Sequence, residues 1–118
     1  MDTPKISRQI CSVFQAQCSG QSVAYVIIRL SGYILSDAGF DVWLGNIRGN
    51  RYSRNHVNAS GLMNPDDPPF WSFSIHELGK YDLPAMMEHV LRDTGLPSLT
   101  YVGHSMGTTA LWYVISTG

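Results

Sequence analysis

"YVGHSMGTTALWYVISTG", Tyr101 to Gly118, decides how the rest of the chain is read. At its centre Gly103, His104, Ser105, Met106 and Gly107 have the GxSxG spacing of a serine presented on a tight strand-to-helix turn. The apolar run Leu99 to Gly103 predicts a short strand before it. "MGTTALWYVIS" predicts a helix after it, apolar on nearly all sides and therefore covered on every side.

A serine hydroxyl is a weak nucleophile, so catalysis needs it exposed, beside a base, and close to donors that receive the developing oxyanion. The sharp turn supplies exposure. Gly103 and Gly107 suit it because the chain two residues before and two after the serine passes too close for side chains. Met106 offers its backbone N–H to an oxyanion, with the positive end of the helix behind it. Ser105 is the candidate nucleophile.

The thirteen residues after Ser105 include no His, Asp or Glu. Where such an elbow is catalytic, the acid and then the histidine follow the serine in chain order. A complete triad cannot be assembled that way from these residues. His104, next to the serine, is expected to face away from it and pack behind the elbow. His56 is expected in a long loop, and His76 and His89 on helix surfaces, all three solvated.

Working back towards the start, Leu83, Met86, Met87, Val90 and Leu91 share one helical face, which Gly95 and Pro97 end. Ser74 and Glu77 form an SxxE capping box. Pro84 is accepted in a first turn but not in a helix interior. Two successive helices are therefore expected, the second capped by Asp82 and running to about Arg92. "FDVWLGN" (Phe40 to Asn46) reads as a buried strand, Val42 and Leu44 on one side and Trp43 on the other. Between them Ile47 to Pro69 is a long polar loop. Phe70, Trp71 and Phe73 suit a lipid path or, the commoner role of clustered aromatics, the core.

A helix is expected from about Leu30 to Ala38, stopped by Gly39, while Val26 to Ile28 suit helix or strand equally. Residues 1–20 are polar and weakly patterned. The alternation of helices and strands is that of an α/β fold, a parallel sheet with helices on both faces.

Composition sets the outer limits. A chain of 118 residues, 44% apolar, 14% charged and of net charge −1, is one domain or part of one, and it lacks the basic excess of a nucleic-acid binder. Cys11 and Cys18 match neither a redox nor a zinc spacing and are expected as free thiols. Arg29 and Gly32 interrupt the most apolar stretch, Val23 to Leu35, which falls short of the ~20 residues a membrane span needs. No secretory signal is legible in the first twenty residues.

Three stretches, "LSDAGFDVWLGNIRGNRYSRNH", "DDPPFWSFSIHELGKYDLPAMMEHVL" and "YVGHSMGTTALWYV", together resemble the acid lipases, the gastric and lysosomal branch of the α/β-hydrolases. The likeness runs from about Ile34 to Ser116. It implies hydrolysis of triacylglycerols or cholesteryl esters by a serine, aspartate and histidine triad under a cap, with no metal or other cofactor. Carried over, the nucleophile falls on Ser105 and one oxyanion donor on the Met106 backbone. The family's Asp and His have no counterpart here, nor does the His-Gly pair that precedes its second oxyanion donor. Residues 1–33 do not share the likeness. The expectation is a partial lipase sequence, with an atypical segment over 1–33 and an incomplete hydrolase domain over 34–118, inactive in this form.

A secreted or lysosomal setting is what the family implies for a full-length protein, and Asn58 of "NAS" is then a glycosylation acceptor. Two other readings stand beside the lipase. One is a catalytically dead short isoform that binds lipid or a partner; the other is a different α/β-hydrolase chemistry, such as thioester or peptide cleavage.

Overall fold

The computed structural model describes residues 8–13, 23–50, 52–58 and 61–117. In chain order the elements are β1 (Arg8–Val13), α1 (Val23–Asp37), β2 (Phe40–Gly45), β3 (His56–Asn58), β4 (Gly61–Met63), α2 (Ile75–Glu77), α3 (Leu83–Thr94), β5 (Thr100–Gly103) and α4 (Met106–Thr117).

The strands β2, β1 and β5 pair in that order, all parallel. Among the described residues the chain therefore runs from the middle strand to one edge through α1, and crosses back to the other edge through α2 and α3. Crossovers between parallel strands are right-handed, so steps in opposite directions put their helices on opposite faces. Gly32 of α1 lies over Val42 and Leu44. Trp43 points the other way and meets His89 of α3 edge-on, ring centroids 5.8 Å apart. The sheet is thus clothed from both faces, as the alternation of elements predicts.

The central strand itself is not legible in the sequence. β1 and most of α1 belong to residues 1–33, so the division there marks a change of likeness and not a break in the sheet. α1 begins at Val23, which assigns Val26 to Ile28 to helix. Gly39 (φ 88°) and Gly95 (φ 69°) take the left-handed backbone just past α1 and α3 that favours glycine.

The core lies on the Trp43 face, where Ile47, Leu78, Leu83, Val90 and Ala110 are buried together and Trp43, Tyr101 and Met106 pack against them. On the amphipathic face of α3, Leu83 and Val90 are buried, with Met86, Met87 and Leu91 half-buried.

The opposite face carries α1 alone among the described residues and is only partly covered. β2 is not the buried strand expected, for Leu44 is 53% exposed, and Leu30, Tyr33 and Ile34 of α1 are exposed with it. Nor is α4 covered on every side: Ala110 is buried, while Trp112 is 67% exposed. The cause is common to both corrections. An all-round apolar pattern records the cover that a sheet element takes from every neighbour. The described residues put α1 alone over one face of β2 and leave the outer side of α4 bare.

The two helices expected around Pro84 are present as α2 and α3, Pro84 lying in the first turn of the second, and no break separates them. α2 passes into a wide π turn, Leu78–Asp82, and then into α3, with the Leu83 N–H donating to the Leu78 carbonyl. Proline inside a regular helix collides with the carbonyl four residues back; a π turn just before it relieves that crowding without ending the helix. Asp82 makes no cap bond. Its carboxylate goes to Arg48 instead.

The long loop after β2 has structure of its own. β3 and β4 form an antiparallel hairpin, Val57 opposite Leu62, and Pro68–Trp71 make a 3-10 turn. Phe70 of that turn is buried and Phe73 half-buried; Trp71 meets the first edge-on and the second at a tilt. Among the aromatics offered for a lipid path, these two pack as core.

Candidate active site

The run Gly103 to Gly107 joins the last residue of β5 to the first turn of α4. Ser105 has φ 52°, the one positive φ of a non-glycine among the described residues, and it is exposed. For an L-residue the left-handed region costs about 1–2 kcal/mol and persists only where the surroundings hold it.

What holds it can be read bond by bond. The Gly107 N–H donates to the His104 carbonyl at 3.0 Å, and the Thr108 N–H to the Ser105 carbonyl at 3.0 Å, so α4 begins winding immediately after the serine. Across the turn, the Tyr101 hydroxyl donates to the Gly107 carbonyl at 2.9 Å and the Thr108 hydroxyl to the Gly103 carbonyl at 3.1 Å. A Cβ on Gly103 would lie 2.7 Å from the Tyr101 ring, 3.0 Å from the Gly107 carbonyl carbon and 3.0 Å from the Thr108 nitrogen. The contact to the ring is nearer than real Cβ atoms come, and the two to backbone are tighter than nearly all real ones. Gly103 is required by contact, and Gly107 is the buried backbone that it contacts.

Met106 opens α4, so its N–H is among the first-turn donors that a helix cannot pair within itself. The positive end of the helix lies there too. Its side chain points away into the core.

Sheet topology says why the turn is here. Val13, the last residue of β1, is the register partner of Gly103, the last of β5. The chain leaves β1 towards one edge of the sheet, whereas β5 lies on the other side. In open parallel sheets that divergence leaves a crevice outside the carboxyl ends of the strands, where ligands bind. Ser105, two residues past the last residue of β5, lies at that end of the sheet.

A match to the alpha/beta hydrolase fold covers residues 22–117. The chain belongs to that family. Among the relatives of this chain, Lipase 1 of Drosophila melanogaster is 56% identical over 84 residues, 71% of this chain and 18% of the relative. Gastric triacylglycerol lipase of Bos taurus is 50% identical over 86 residues, 73% of this chain and 21% of the relative. Lipase member K of Homo sapiens is 48% identical over 85 residues, 72% and 20% respectively. The chain thus spans about one fifth of the length of the curated relatives it matches, and the acid lipase likeness read from its motifs agrees with their names.

The histidines do not gather at the serine's turn. His104 is exposed and not packed behind the elbow as the sequence reading expected, because the turn projects from the sheet's carboxyl edge. His76 faces Tyr113, 3.5 Å from ring Nε2 to hydroxyl, and His89 faces Trp43; both are exposed on their helices. His56 opens β3 of the hairpin instead of lying in open loop. Asn58 closes that strand, opposite Gly61, with its side chain outside the described residues. Cys11 falls within β1, and Cys18 lies outside the described residues.

Among the described residues no three His, Cys, Asp or Glu side chains are placed to hold a metal ion, and no helix is long and apolar enough to cross a membrane. The residues that sequence reasoning missed are Tyr101 and Thr108. Their only signal is a polar tip at each end of an otherwise apolar strand and helix.

Proposed function

We propose that these residues are the nucleophile-bearing part of a serine hydrolase of lipid esters, with a triacylglycerol or a cholesteryl ester as substrate. In that reaction the Ser105 Oγ bonds to the acyl carbon and a base accepts the hydroxyl proton. The developing oxyanion takes a hydrogen bond from the Met106 N–H. The ester C–O bond breaks, the alcohol leaves with the proton, and water then cleaves the acyl-enzyme. The base and its acid partner come from sequence beyond these residues.

The observation that carries the reading is the exposed Ser105 at φ 52° between strand and helix. Support comes from the lipases matched at about half identity across this region. The same reading takes 34–118 as the hydrolase part of the chain, Gly103 and Gly107 as its elbow glycines, a secreted or lysosomal setting for the whole protein, and Asn58 as a glycosylation acceptor there.

A fluorophosphonate probe tests it on the complete protein containing this segment. Labelling is expected at Ser105 and lost in Ser105→Ala, with triolein or a cholesteryl ester cleaved faster than a thioester. Preference for the thioester would defeat the lipid-ester assignment; an unlabelled protein would favour a catalytically dead binding module.

A further inference from the structure

The strand and the helix on either side of Ser105 each lend a hydroxyl to the other's backbone, and nothing in the GxSxG spacing asks for this. The Tyr101 hydroxyl donates from β5 to the Gly107 carbonyl, and the Thr108 hydroxyl donates from α4 to the Gly103 carbonyl. We propose that Tyr101 and Thr108 are positioning residues, a reciprocal clamp that holds Ser105 in its left-handed backbone and so aims the nucleophile at the carbon, and the Met106 N–H at the oxygen, of one substrate carbonyl. The inference rests on the hydrolase reading of Ser105.

Three observations converge on the clamp. First, its two bonds span the turn in opposite senses and end on Gly103 and Gly107, the residues that flank the serine by two on each side. Opening the turn lengthens both at once. Second, the Tyr101 ring occupies the place a Cβ on Gly103 would take, 2.7 Å from it, so the glycine makes room for the clamp as well as for the backbone. Third, Ser105 is the described non-glycine held at positive φ, and a strained conformation needs surroundings that over-determine it.

The two bonds are unequal. Tyr101 is half-buried and packs against the core, whereas Thr108 is exposed and water competes for the Gly103 carbonyl. A buried hydrogen bond loses more when one partner is deleted than an exposed one does. Tyr101 is the stronger arm.

The test uses the complete protein carrying this segment, with Tyr101→Phe, Thr108→Val and Thr108→Ser, each removing or restoring one hydroxyl at nearly constant shape. Read-outs are kcat and KM for a soluble ester, the rate of fluorophosphonate labelling, and the thermal midpoint. Expected are a kcat about tenfold lower for Tyr101→Phe and about threefold lower for Thr108→Val, with KM within twofold of wild type in both. Thr108→Ser restores kcat. Labelling rates fall in step with kcat.

A lowered thermal midpoint with kcat per titratable serine unchanged assigns the hydroxyls a structural role alone and overturns the clamp. Should Tyr101→Phe fail to fold, the threonine pair decides: equal kcat in Thr108→Val and Thr108→Ser overturns it. Wild-type protein that is not labelled sinks the hydrolase reading and the clamp with it, whereas labelled wild type with unaffected variants sinks the clamp alone.

Discussion

Arg48 and Asp82, thirty-four residues apart in the chain, meet in a forked contact: the Arg48 Nε donates to Oδ1 at 2.7 Å and the Arg48 backbone N–H to Oδ2 at 2.9 Å, while Nη2 lies 2.6 Å from Oδ1. The guanidinium also lies over the rings of Phe73 and Tyr81. This ties the loop after β2 to the π turn ahead of α3. The Asp82 side chain is only 10% exposed, so the bonds count for more than those of a surface pair.

Asp82→Ala removes both acceptors and leaves a half-covered guanidinium unpaired. A loss of about 2–3 kcal/mol is expected in denaturant unfolding of the complete protein. Arg48→Lys keeps the charge but not the fork, and should lose about half as much. Equal stability of Arg48→Lys and wild type would show that charge alone matters.

Gly79 in the π turn separates two opposing effects. Alanine in a helical position is favoured over glycine by about 1 kcal/mol. Here its Cβ would stand 2.7 Å from the Tyr113 Cδ1 and 2.9 Å from the Ala110 carbonyl oxygen. The ring could swing away; the carbonyl belongs to α4 and could not. Overpacking of about 1–3 kcal/mol therefore outweighs propensity, and Gly79→Ala is expected to lower the thermal midpoint by several degrees. A raised midpoint would mean that α4 gives way freely.

The capping box gives an acid-dependent prediction. The Ser74 hydroxyl and backbone N–H both donate to the Glu77 carboxylate, at 2.7 and 2.6 Å, and hold its pKa down from the ordinary 4.5 to about 2. A depressed carboxylate pKa contributes stability that is present above the unfolded value and lost as pH falls through the folded one. The stability gap between wild type and Ser74→Ala should be widest above about pH 4.5 and shrink between there and about pH 2. A gap constant across that range in thermal melts would assign the effect to the Ser74 to His76 cap bond alone.

Local chemistry was legible wherever neighbours in the chain produce it. Ser74 and Glu77 cap a helix because three residues suffice to close that loop. Gly39 and Gly95 stop helices for the same reason, and Val42, Trp43 and Leu44 alternate because a strand must. Pro84 took the expected first-turn place, but the π turn that joins the two helices was not foreseen, since it is a longer-range compromise that no local preference announces. Asp82 misled: its carboxylate had a distant partner better than the helix end beside it.

The amino-acid order by itself determined the α/β alternation and the serine between two glycines, because periodicity and turn chemistry act over a few residues. Tertiary structure alone decided that the weakly patterned β1 lies at the centre of the sheet, that Val13 and Gly103 end side by side, and that Tyr101 and Thr108 clasp the turn. Parallel pairing and hydroxyl contacts across a bend depend on where distant segments come to rest, which spacing along the chain does not encode.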